Sequence, residues 1–148
     1  MELVPGYGRL QGIVFRPGDA RFENHSAEEA VAAALADNSC LMINRNAGSG
    51  TRILIDRLLR GARPAGYSSQ AKTHNATAVA VVQGRADWGV AIATVAQQYG
   101  LGFLPLQAEQ YDFVIPRDRL DRPPVRRFCQ LLQEPALRAA LQQLGFKP

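Results

Sequence analysis

Apolar positions along this chain fall into short continuous runs and helically spaced stripes, separated by glycine, proline or Asp/Asn residues. The run 12–15, stopped by Arg16-Pro17-Gly18-Asp19, predicts a strand and then a turn. Ser26, with Glu29 three residues on, predicts a capping box that opens the helix AEEAVAAALA and gives way at Asp37-Asn38. A second strand is predicted over 40–43 and a polar, glycine-containing loop over 44–49. From Thr51 onward Ile53, Leu54, Leu58 and Leu59 keep helical spacing until Gly61. The stretch 63–73, with Pro64 and Gly66, has room for one short strand. Then come a helix over 75–84, a strand over 88–92, a helix over 94–99 ended by Gly100, and strands over 103–106 and 109–115. Residues 124–144 give two amphipathic helices parted at Glu134-Pro135, since proline is tolerated in a helix first turn. Strands alternating with helices predict an α/β fold with a mostly parallel sheet and flanking helices.

Composition narrows the class. At 148 residues, 47% apolar and 20% charged, the chain is sized for one domain with its own core. Aperiodic glycines exclude collagen, two cysteines exclude a disulfide scaffold, and no apolar run nears the roughly 20 residues of a membrane span. MELVPGYGRLQGIVF lacks the basic, apolar and small-residue sequence of a signal peptide, so a cytoplasmic setting is expected, or a periplasmic one if a leader and lobe precede it. The net charge is +4, and arginine supplies all but two of the 17 basic residues. Without basic blocks or interleaved aromatics, that excess fits solvated helix faces better than a direct nucleic-acid partner. Cys40 and Cys129 read as two buried thiols, and no Cys/His spacing suits a metal.

One loop stands out. Asn44-Arg45-Asn46-Ala47-Gly48-Ser49-Gly50-Thr51-Arg52 lies between a predicted strand and a predicted helix. Glycines there let several N–H groups curl into one concavity, where the orphan amides and dipole of the helix start favour an anion. Ser49 and Thr51 add hydroxyls, and Arg52 or Arg45 full charge. The Gly-Lys-Ser/Thr ending of a nucleotide P-loop and the three spaced glycines of a dinucleotide fingerprint are both missing. An ordinary glycine-rich turn capped by Ser or Thr fits the pattern equally well. Lys72-Thr73-His74-Asn75 repeats the design before the next helix, and ligands in open α/β folds sit off the carboxyl ends of strands, where both loops fall. In Gly84-Arg85-Ala86-Asp87-Trp88-Gly89, Asp87 reads as a turn tie and Trp88 as core. No His and carboxylate mark Ser49 as a nucleophile, so no enzyme is indicated.

NRNAGSGTR, the AGY after Pro64, the TH at Thr73-His74, GRADWGVA, LGFLPL and EQYDFVIPR, in this order, resemble the periplasmic-binding-protein-like domain of the type 2 solute-binding fold. The relatives are molybdate- and tungstate-binding proteins, and such domains also occur fused to molybdopterin-biosynthesis proteins or helix-turn-helix regulators. The resemblance implies one domain over 1–148: a ligand lobe at 17–108, crossing strands at 9–16 and 109–116, and C-terminal helices of an incomplete first lobe at 117–148. It implies a small oxyanion ligand (molybdate or tungstate, with phosphate or sulfate as alternatives) and no cofactor. Ser49, Gly50, Thr51 and Arg52 would hold the anion at one helix start, with Thr73 and His74 at the other. The family's usual leading βαβα segment has no counterpart before residue 11. Its first lobe would be largely missing, which implies self-association or a partner lobe. The alternative is an effector or oligomerisation domain of a regulator or biosynthetic protein, with little ligand binding of its own.

Overall fold

A computed structural model describes residues 1–148. In chain order the elements are β1 (Glu2–Phe15), α1 (Ala27–Ala36), β2 (Met42–Arg45), α2 (Gly50–Leu59), β3 (Gln70–Ala71), α3 (His74–Val82), β4 (Trp88–Ile92), α4 (Ala93–Gln98), β5 (Gly102–Ile115), a 3-10 turn (Arg117–Arg119), α5 (Pro123–Gln133) and α6 (Pro135–Gln143). The chain divides into two compact units, residues 11–107 and residues 1–10 with 108–148.

In the larger unit the strand order is β3-β2-β4-β1-β5. β2 pairs parallel with β3 and with β4. β1 runs antiparallel to β4, Gln11 opposite Ile92 and Phe15 opposite Trp88, so the expected mostly parallel sheet is a mixed one. Its parallel part is the β3-β2-β4 set, whose crossovers are helices. The pleat sends alternate residues to opposite faces. Ile13, Phe15, Met42, Trp88 and Val90 join Ala30 and Val31 of α1 and Ile55 and Leu59 of α2 in one cluster. Val14, Ile43 and Ala91 join Ala80 and Val81 of α3 and Ala96 of α4 in another. Phe22 stacks on Phe15 with ring centroids 5.3 Å apart and meets Trp88 at 6.3 Å. Burying each such side chain contributes roughly 1.5–3 kcal/mol. A Cβ on Gly89 would lie 2.7 Å from Thr77 Cγ2 and 2.9 Å from Ile43 Cγ2, so glycine lets α3 settle onto β4.

Ser26 caps α1 as predicted, its Oγ accepting from Glu29 N at 3.2 Å. Asp87 ties down a turn: one oxygen accepts from Arg16 Nη2, the other from Leu41 N at 2.8 Å. Arg16 Nη1 donates to the carbonyls of Val81 and Ala86, both at 2.7 Å. Arg21 links Asp19 and Asp37 in the same unit.

Two strand expectations are corrected. β1 begins at Glu2, not Gly12, because Pro5, Gly6 and Gly8 mask the extended stretch. The predicted strands at 103–106 and 109–115 are one strand, β5; it is last in the sheet order, and Pro105 is tolerated on an edge. In the smaller unit Tyr7 packs against Phe146 (4.8 Å) and Tyr111 (5.8 Å), Phe113 against Phe128 (4.9 Å), and Gly8 bridges to Lys147. Ile115 and Leu132 are that unit's buried apolar side chains, while Leu3, Tyr111, Val114 and Phe128 are exposed. Both cysteines are free. Cys40 is buried as expected, but Cys129 is only half-buried, since α5 buries little besides Leu132.

Candidate functional site

Parallel pairing of β2 with β3 decides where the two loops go. Asn44 stands opposite Gln70 and Arg45 opposite Ala71, and Asn46 N donates to the Ala71 carbonyl at 3.1 Å. Both strands therefore end side by side, and the loops into α2 and α3 leave the same edge of the sheet. Fully buried Asn44 braces this end, donating to the Tyr67 carbonyl at 3.0 Å and accepting from Arg45 N at 2.9 Å.

The turn into α2 passes through Gly48 at φ +87°, a left-handed conformation that glycine adopts without strain. Ser49 is the N-cap: its Oγ accepts from Arg52 N at 3.0 Å and its carbonyl from Ile53 N at 3.2 Å. The amides of Gly50 and Thr51 head the helix before those two bonds. Thr51 is buried, and a Cβ on Gly50 would meet nothing within 4 Å. Thr73 repeats the arrangement at α3, its Oγ1 accepting from Ala76 N at 2.9 Å and its carbonyl from Thr77 N at 3.1 Å. His74 and Asn75 are that helix's leading residues. Because the capping oxygens accept, each hydroxyl keeps its proton for donation. Neither helix has an acidic residue in its first turn. Two like-oriented helix starts with donor hydroxyls form an electropositive edge.

Arginines knit this edge together. Arg45, 7% exposed, places Nη1 3.3 Å from His74 Nδ1 and donates from Nη2 to the Lys72 carbonyl at 3.3 Å. Its own carbonyl accepts from Arg52 Nη1 at 2.8 Å. Arg52 also donates to the Asp56 carboxylate from Nε at 3.2 Å and to the Tyr67 hydroxyl at 2.9 Å, and lies 4.8 Å over the Tyr67 ring. Tyr67 and Asp56 hold the Arg52 guanidinium above its ordinary pKa, so it stays cationic. The structure thus brings Ser49, Gly50, Thr51 and Arg52 to one helix start and Thr73 and His74 to its neighbour. In the sequence Arg45 stands out only as an alternative source of charge to Arg52, and neither Asp56 nor the side chain of Tyr67 stands out as a site residue. The AGY motif is the only signal of Tyr67, and no motif marks Asp56. No three His, Cys, Asp or Glu side chains gather where they could hold a metal ion, and no helix is long and apolar enough to cross a membrane.

A family model described as a PBP superfamily domain matches residues 1–133. The chain is 40% identical over 79 residues to the uncharacterized protein YvgK of Bacillus subtilis (strain 168), a match covering 50% of this chain and 26% of that protein. Among solved structures it is similar to the tungstate-binding protein TupA of Desulfovibrio alaskensis G20 (TM-score 0.59, 15% identity, 95% of this chain and 64% of that one). A phosphate transport receptor from Vibrio cholerae gives a TM-score of 0.62 at 12% identity, over 99% and 72% of the two chains. The ancestral amino acid-binding protein AncCDT-1 gives 0.61 at 16% identity, over 96% and 60%. At these identities the structural likenesses speak for the fold. The chain spans about a quarter of YvgK and about three fifths of TupA and AncCDT-1.

Proposed function

The chain belongs to the PBP superfamily, and from that premise we propose that it binds a small oxyanion, molybdate or tungstate by preference, at the paired starts of α2 and α3. The observation that carries this reading is the parallel register of β2 and β3, with Asn44 opposite Gln70, which brings two Ser/Thr-capped helix starts to one edge. In this reading Ser49 and Thr73 donate hydroxyl protons, Gly50, Thr51 and His74 donate amide protons, and Arg52 adds charge while bracing the α2 turn. Neutral donors and helix dipoles suit a tetrahedral dianion. Relatives of the fold that bind tungstate and phosphate support the ligand class, while an amino-acid-binding relative marks the competing one.

Binding without chemistry suits sensing or delivery of the anion in molybdenum metabolism. Calorimetry on the folded protein with molybdate, tungstate, sulfate and phosphate tests this. Saturable heat with at least one supports the reading; no heat with any of them overturns it.

A second reading rests on the smaller unit, whose Leu3, Tyr111, Val114 and Phe128 are exposed and whose pocket of about 340 Å³ is lined by Phe113, Val114, Pro124 and Phe128 among others. There the chain is an effector or oligomerisation domain, and that face meets a second copy or a partner lobe. Sedimentation velocity at two concentrations tests self-association: a concentration-dependent shift to a dimer supports it, and a monomer throughout excludes it.

A further inference from the structure

We infer that Arg45 is the positioning residue that makes one site of the two helix starts, by fixing the orientation and proton of His74; this rests on the oxyanion reading above. A guanidinium carries five N–H donors and no acceptor. Its 3.3 Å approach to His74 therefore requires a lone pair on Nδ1, which puts the imidazole proton on Nε2. The same guanidinium donates to the Lys72 carbonyl, directly before the cap residue Thr73. On the other side the Arg45 carbonyl receives Arg52 of α2. One residue at the end of β2 thus grips the turn into α3 with its side chain and the first turn of α2 with its backbone.

Burial sharpens the point. Arg45 is among the core's few buried polar or charged residues, and burying a guanidinium is costly unless its N–H groups are matched. An apolar side chain would fill such a position more simply. What it could not do is set the His74 tautomer or add positive charge behind two helix N-termini that lack acidic first-turn residues. An anion at that edge offsets the like-signed charges gathered there.

The test combines multiple-bond 15N NMR of the imidazole ring with tungstate calorimetry, on the full chain, for wild type, Arg45→Met and Arg45→Lys. In the unliganded wild type, His74 is expected to show the neutral Nε2–H pattern. Arg45→Met is expected to lose that single-tautomer pattern and to weaken tungstate binding about tenfold or more. Arg45→Lys, which keeps the charge but cannot span both acceptors, is expected to fall between. An imidazolium or Nδ1–H pattern in wild type overturns the inference, as does an Arg45→Met variant with unchanged pattern and affinity. If Arg45→Met does not fold, the wild-type pattern and the Arg45→Lys affinity decide. A folded wild type that shows the Nε2–H pattern but binds no tungstate overturns the oxyanion reading and leaves the Arg45–His74 geometry standing.

Discussion

The guanidinium of Arg45 lies 3.3 Å from Nδ1 of His74, so a residue ending one strand reaches the first residue of the helix that follows its parallel neighbour. Two loops distant in sequence are joined through that contact.

Gly50 separates binding from folding. The sequence suggests that a β-branched residue there harms both the turn and the anion site, but a Cβ at Gly50 meets nothing within 4 Å. Gly50→Val is therefore expected to change the melting temperature little while crowding the Gly50 and Thr51 amides. A drop in tungstate affinity of about tenfold with Tm nearly unchanged is the predicted outcome. Unchanged affinity contradicts the site.

The caps should register in both stability and affinity. Ser49→Ala and Thr73→Ala each remove a side-chain acceptor from a helix start, costing about 1 kcal/mol in urea unfolding. The same variants lose a hydroxyl donor and should weaken oxyanion binding. Ser49→Thr, which keeps both roles, should restore most of each.

Gly66 and Gly89 are close-approach positions. Gly66 has φ +90°, and a Cβ there would lie 2.2 Å from the Met42 carbonyl oxygen, against backbone that cannot yield cheaply. Gly66→Ala is expected to destabilise by about 2 kcal/mol or more, and Gly89→Ala, which presses on Thr77 and Ile43, by about 1–3 kcal/mol. Denaturant midpoints equal to wild type contradict this packing.

The two thiols should behave differently. Burial pushes the Cys40 thiol up from 9.0 to about 11, so the folded state holds its proton more tightly than the unfolded chain does. Its contribution to stability is complete below about pH 9 and is lost as pH rises toward 11. At pH 8 a maleimide should label half-buried Cys129 and leave Cys40 unmodified until the protein unfolds. Labelling of both at equal rates in the native state contradicts the burial of Cys40.

Acid sensitivity has an identifiable source. The hydrogen bond from Arg21 holds Asp19 below its ordinary pKa. A depressed folded-state pKa gives stability that is present above the unfolded value, near 3.8, and disappears as pH falls through the folded value. Asp19→Asn should lower Tm at pH 7 and flatten its fall below pH 4. A parallel pH dependence in the variant contradicts the assignment.

How much of this was legible in sequence follows from which interactions are local. The Ser26, Ser49 and Thr73 caps involve residues three apart; the pattern named Ser26 outright and allowed a Ser or Thr cap at the glycine loop, and the structure makes Ser49 and Thr73 the caps of α2 and α3. Trp88 and Asp87 also took the core and turn roles their neighbours suggested. The length of β1 was hidden because Pro5 and two glycines disguise a strand whose partner lies about 100 residues away. The antiparallel course of β1 against β4 depends on a second distant pairing, Gln11 opposite Ile92. At the site, Arg45 and His74 are separated by 29 residues, so only the register of β2 on β3 could reveal their contact. Asp56 and Tyr67 were missed because they act through Arg52, at a distance a linear motif does not encode.

The most direct measurement is amide NMR of the folded full chain during titration with tungstate. An anion at the two helix starts should give saturable shift changes centred on Gly50, Thr51, His74 and Asn75, with smaller ones at Arg45 and Arg52. Saturable shifts elsewhere with these amides unmoved, or no shifts at all, would contradict a site there.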